Sequence, residues 1–150
     1  MMLAALFASA ADDPGGWSKA KWGMTDAQLA GIFGADARRD DHGRLLAPLA
    51  MSGIPCEATM NLDDAGLLDA IGIGPVKIAD NTDALYLILQ ELLVQKYGRP
   101  WKASEELGVT KLQWTFPTTL ITLSRAKFPG TEQRLVILTY KRITPDSNPL

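Results

Sequence analysis

The chain holds one cysteine and one histidine. That inventory excludes a disulfide framework and a zinc site built from several thiolates or imidazoles. Aromatic residues are scarce, at 7%. No apolar run reaches the roughly 18 residues that a membrane-spanning helix needs. Neither sign of charge is in excess: 15 basic and 17 acidic side chains give a net charge of −2, with a pI of about 5.3. A dedicated nucleic-acid binder is therefore not expected. Phosphate-loop spacings and a Gly-x-Ser-x-Gly elbow are also missing. Gly72-Ile73-Gly74-Pro75-Val76-Lys77 has a glycine pair but neither loop spacing, and reads as a bent strand. No cofactor and no metal are implied. What is present is ordinary for one globular domain: 150 residues, 47% hydrophobic and 21% charged, enough to bury a core without a metal or a cross-link.

The first residues carry an address. Leu3 to Ala8 is apolar, Ala8-Ser9-Ala10 has the small-x-small pattern of a cleavage site, and an acidic, Pro/Gly-rich segment follows. Residues 1–10 are expected to be the end of a secretory signal, which places the mature chain in the periplasm or outside the cell. A cytosolic structural or regulatory subunit is the alternative if they are not. Residues 11–21 read as a linker, 22–143 as a single domain and 144–150 as a polar tail.

Within the domain, Thr25 and Gln28 have the spacing of a capping box, and Met24 and Leu29 that of a hydrophobic staple. Gly34 supplies a stop, so a helix is predicted at about 26–33. Asp36 to Gly43 reads as a charged connection. Arg44 to Met51 reads as a strand limited to an edge or a bulge by Pro48. Cys56, Ala58, Met60 and Leu62 alternate with polar residues, the period of a strand with one buried face. Leu67 to Ile78 is a further strand. Asp80 to Asp83 caps a second helix, Ala84 to Tyr97, which Gly98 and Pro100 end. Trp101 to Gly108 reads as a loop. Strands at 110–116, 119–127 and 134–142 complete the chain.

This order predicts an α+β fold: a tandem helix–three-strand repeat forming one antiparallel sheet of about six strands, with two helices on one face. Trp22-Gly23-Met24-Thr25 ahead of the first helix and Lys96-Tyr97-Gly98-Arg99-Pro100 at the end of the second resemble a group of small exported bacterial proteins. In that group, W-G-M-[ST] opens the first helix and Y-G-x-P closes the second. It is similar in layout to the beta-lactamase-inhibitor-protein-like fold, which includes the SmpA/OmlA outer-membrane lipoprotein domain. The resemblance covers about residues 17–142. It implies an exported, non-catalytic domain that binds a protein or another cell-envelope component. No cysteine follows the apolar run and no inhibitory loop is matched, so neither a lipid anchor nor beta-lactamase inhibition is carried over.

The residues offer little for catalysis. Asp40, Asp41 and His42 could supply a cation site or an acid and a base, but adjacent residues rarely converge on one ion and the segment reads as a solvated loop. Asp63-Asp64-Ala65-Gly66 has the composition of a tight turn. Cys56 sits on the apolar side of its strand and His42 is the only histidine to activate it, so the thiol reads as core. A small hydrolase or transferase using His42 or a carboxylate pair is the rival reading. The candidate binding residues are aromatic and apolar. Trp17, Trp22 and Trp101 fall at element ends, where half-exposed tryptophan favours binding. Leu87 and Val94 lie seven residues apart on the second helix. They would form an apolar strip for a partner, including a second copy of the chain.

Overall fold

The computed structural model describes residues 11–144; the expected signal at residues 1–10 and most of the tail lie outside them. The chain runs through β1 (Gly16–Trp17), β2 (Ala20–Lys21), α1 (Asp26–Phe33), β3 (Arg38–Arg39), β4 (Leu45–Met51), β5 (Ile54–Leu62) and β6 (Leu68–Pro75). It continues with α2 (Asp83–Tyr97), β7 (Lys102–Glu106), β8 (Val109–Thr115), β9 (Thr119–Lys127) and β10 (Arg134–Arg142). Strands β3 to β10 form one eight-stranded antiparallel sheet in the order β3-β4-β5-β6-β10-β9-β8-β7, and β1 and β2 form a separate two-stranded ribbon.

The protein is therefore mostly β, and the expected α+β repeat with about six strands does not hold. Only two α-helices occur among the described residues, and β1, β2, β3 and β7 break the repeat of one helix and three strands. Those four strands span two to five residues each. Each is too short or too polar to show an apolar period of two, so their sequences resemble linker, connection and loop. Residues 11–21, expected as a linker, include the hairpin of β1 and β2, with Ala20 fully buried. A Cβ on Gly16 would collide with the Ala20 carbonyl oxygen, so that tight pairing requires glycine.

Both helices start as their caps dictate. The Thr25 hydroxyl accepts from the Gln28 amide (3.2 Å) and the Gln28 side chain accepts from the Thr25 amide (2.9 Å), closing the capping box. The Thr82 hydroxyl accepts from the Leu85 amide at 3.1 Å. Gly98 ends α2 at φ +86°, a conformation open to glycine. Its carbonyl accepts from the Trp114 indole N–H at 2.8 Å, which pins the end of α2 to the sheet.

The core lies on one face of the sheet. Register places Ala58 beside Ile73, Ile73 beside Leu138, Leu138 beside Leu123 and Leu123 beside Leu112, an apolar row across five strands. Leu85, Tyr86, Leu89 and Leu93 of α2 join this row, as do Leu29 of α1 and Ala20 of the hairpin. On α2, Leu92 is exposed and Tyr97 is buried.

Candidate functional site

The structure separates the five predicted binding residues. Trp22 turns inward: its indole N–H donates to the buried Thr119 hydroxyl at 2.9 Å. Thr119 in turn donates to Asp13 at 2.8 Å, and Asp13 also accepts from the Thr118 amide and hydroxyl (2.6 and 2.8 Å) and from the Gly15 amide (2.9 Å). Burial works against the Asp13 charge, but these donors outweigh it and hold the carboxyl below its ordinary pKa. Trp17 is half-buried and stacks on Phe33 with ring centroids 6.2 Å apart. Trp17 and Trp22 therefore close one end of the core. Val94 packs against the core while Leu87 remains 59% exposed, so the two do not form a strip. Trp101 is 66% exposed, immediately before β7.

The charged segments are turns. The Asp40 carboxylate accepts from the amides of His42 and Arg44 and pairs with the Arg44 guanidinium at 2.8 Å. Asp63 accepts from the amides of Ala65 and Leu67. No cluster of three metal-ligating side chains occurs among the described residues. Cys56 is buried on the core face, and that burial, ahead of the nearby Asp80 charge, pushes its thiol pKa up. A raised pKa withholds the thiolate. His42 is exposed in the turn before β4. Among the described residues, no side-chain hydrogen bond or ion pair to the Cys56 thiol that would activate it occurs.

The second face of the sheet is different. No described helix or strand packs against it. Its central feature is a trough where β6 presents glycine at two successive outward positions. Gly72 pairs with Thr59 on one side and Thr139 on the other, and Gly74 pairs with Glu57. The missing side chains leave a groove of about 350 Å³, walled by Thr59, Glu57, Asn61 and Ile137 and reached by Arg44. Packing does not require these glycines. A Cβ on Gly72 would meet nothing within 4 Å, and one on Gly74 only the Val136 carbonyl oxygen at 3.6 Å. Both backbones lie in the ordinary strand region. The trough thus offers backbone, hydroxyl, amide and carboxylate groups beside one apolar wall. Glu57 is fixed by a bidentate pair with Arg38 at 2.7 and 2.8 Å. The expected bend at Gly72 and Gly74 is instead a regular strand. The available signal was their period of two within a strand, which assigns both to the same face.

Together these features define a small antiparallel β-sheet domain with helices backing one face and a polar trough on the other. The chain is similar in structure to a DUF4309 family protein (YjgB) of Bacillus subtilis, with a TM-score of 0.46, 11% identity, and coverage of 80% of this chain and 79% of that one. No family model matches the sequence, and no curated protein matches it.

Proposed function

We propose that the chain is an exported, non-catalytic domain that binds a protein or another cell-envelope component in the trough on the uncovered face of its sheet. The observation that carries this reading is the glycine pair at Gly72 and Gly74, which keeps a groove open where packing would accept a side chain. A strand loses stability through glycine, because glycine gives up backbone entropy and contributes no cross-strand contact. Two glycines facing outward on a central strand therefore fit a surface that a ligand approaches closely. The trough pairs hydrogen-bonding groups with the apolar Ile137, a mixture suited to protein surfaces.

The test uses the chain beginning at Ala11, immobilised and exposed to native envelope extract. Wild type should retain a defined component that Gly72→Thr loses, while Leu87→Asp, on the opposite side of the molecule, still retains it. Equal capture by Gly72→Thr, or no capture by wild type, would refute the reading. Mass spectrometry of the native protein tests export. A mature N-terminus near Ala11 supports it, and a cytosolic protein retaining Met1 opposes it.

A further inference from the structure

The strand β7 ends the sheet, and nothing among the described residues pairs with its outer side. Its side chains are Lys102, Ala103, Ser104, Glu105 and Glu106. Strands β7 and β8 are joined by the two-residue turn Leu107-Gly108, whose positive φ values of 52° and 80° are those of a type I′ hairpin. In such a hairpin the closing pair, Glu106 with Val109, is hydrogen-bonded, and alternate residues follow suit. Lys102, Ser104 and Glu106 thus direct their backbone groups at β8, and Ala103 and Glu105 direct theirs outward.

We propose that β7 pairs antiparallel with β7 of a second copy of this chain, about a two-fold axis at Ser104. In this register Ala103 faces Glu105 of the second copy, and Glu105 faces its Ala103. Each outward amide then meets an outward carbonyl. Lys102 faces Glu106 of the second copy twice over, and neither side chain has an ion-pair partner within its own chain among the described residues. The same axis brings Trp101 beside Leu107 of the second copy at both ends of the seam. Trp101 is 66% exposed and Leu107 is fully exposed, so the two most exposed apolar ends of β7 are complementary under this one symmetry.

Charge on an edge strand ordinarily prevents sheet-to-sheet pairing. Here it selects a register. Moving the axis to Glu105 sets two carboxylates directly opposite each other. Moving it to Ala103 forfeits both Lys102–Glu106 pairs and places Glu105 against Trp101, whose amide is already bonded to the Gln113 carbonyl at 2.7 Å. The Ser104 register alone satisfies the outward backbone and both charges. Because the axis is perpendicular to the sheet, the helices of both copies stay on one side and the two uncovered faces become continuous. A five-residue seam buries little area, so the dimer dissociates on dilution.

The experiment is sedimentation equilibrium across a wide concentration range, with circular dichroism to confirm that each variant is folded. Wild type should show a reversible monomer–dimer equilibrium. Lys102→Glu and Glu106→Lys each place like charges across the seam and should weaken dimerisation at least tenfold. Mixed in equal amounts, the two variants should recover it, because every facing pair in the mixed dimer is again opposite in charge. A wild type that remains monomeric at all concentrations overturns the proposal. So does a dimer that either single variant leaves intact, or a mixture that stays monomeric.

Discussion

At one edge of the sheet, β3 is two residues long and each of its arginines is clamped. Arg38 binds Glu57 through two nitrogens, and Arg39 binds Asp26 at 2.7 and 2.9 Å and the Gly43 carbonyl at 3.0 Å. At the other edge, β7 is five residues long, and the side chains of its Lys102 and Glu106 form no ion pair among the described residues. Both edges are charged, so charge alone does not distinguish a closed edge from an open one. Length and internal pairing do: a two-residue strand offers almost no free ladder, and side chains already spent on local partners cannot recruit others.

The largest effect should come from closing the open edge. Ala103→Pro removes an amide that the monomer leaves outward, and proline is tolerated on an edge strand. Association measured by sedimentation should fall more than tenfold while the denaturation midpoint of the dilute monomer stays near wild type. A large loss of monomer stability would show that the Ala103 amide is used internally.

Leu107 sharpens the contrast further. It occupies the left-handed region at φ 52°, a conformation costly for leucine, and asparagine before glycine is the preferred sequence for this turn. Leu107→Asn should stabilise the monomer by about 1 kcal/mol. The same change should weaken the dimer, a pair of opposite effects that equilibrium unfolding and sedimentation would reveal together.

At the closed edge the effects are smaller. The Arg38–Glu57 pair is more than half exposed at the arginine, so Arg38→Met should lower stability only slightly, and the difference should shrink in high salt. Unfolding midpoints at low and high ionic strength test this.

The smallest effect is expected at Asp26, whose carboxyl is held below its ordinary pKa chiefly by the hydrogen bond from Arg39, with burial opposing and the guanidinium charge adding. Its folded pKa lies below the unfolded one. Its contribution is therefore complete above the unfolded value and is lost as pH falls through the folded value. Asp26→Asn should be slightly less stable than wild type near neutral pH, and the two should converge in acid. A difference that persists at the lowest pH would assign the effect to something other than this ionisation.

The sequence disclosed these regions unequally, for physical reasons. The helix at 26–33 was legible because Thr25 and Gln28 form a local cap that needs no tertiary context, and β9 and β10 were legible as runs with an apolar centre bounded by turn residues. The edge strands were not, since Arg38–Arg39 and Lys102–Glu106 bury almost nothing and their strand character comes only from the neighbour they bond. Trp22 was expected at a binding surface but is engaged with Thr119, a partner 97 residues away that no local pattern reveals. Leu87 and Val94 share a helical phase, yet one is exposed and the other packed, because the surroundings of a helix change along its length. The trough at Gly72 and Gly74 depends on which face of the sheet the helices cover, which only the assembled fold decides.

Amide hydrogen exchange of wild type at rising protein concentration tests the contrast between the edges most directly. The Ala103 and Glu105 amides should exchange rapidly in dilute solution and become progressively protected as concentration rises, while the β3 amides should show no concentration dependence. Exchange at Ala103 and Glu105 that is equally fast at every concentration would contradict it.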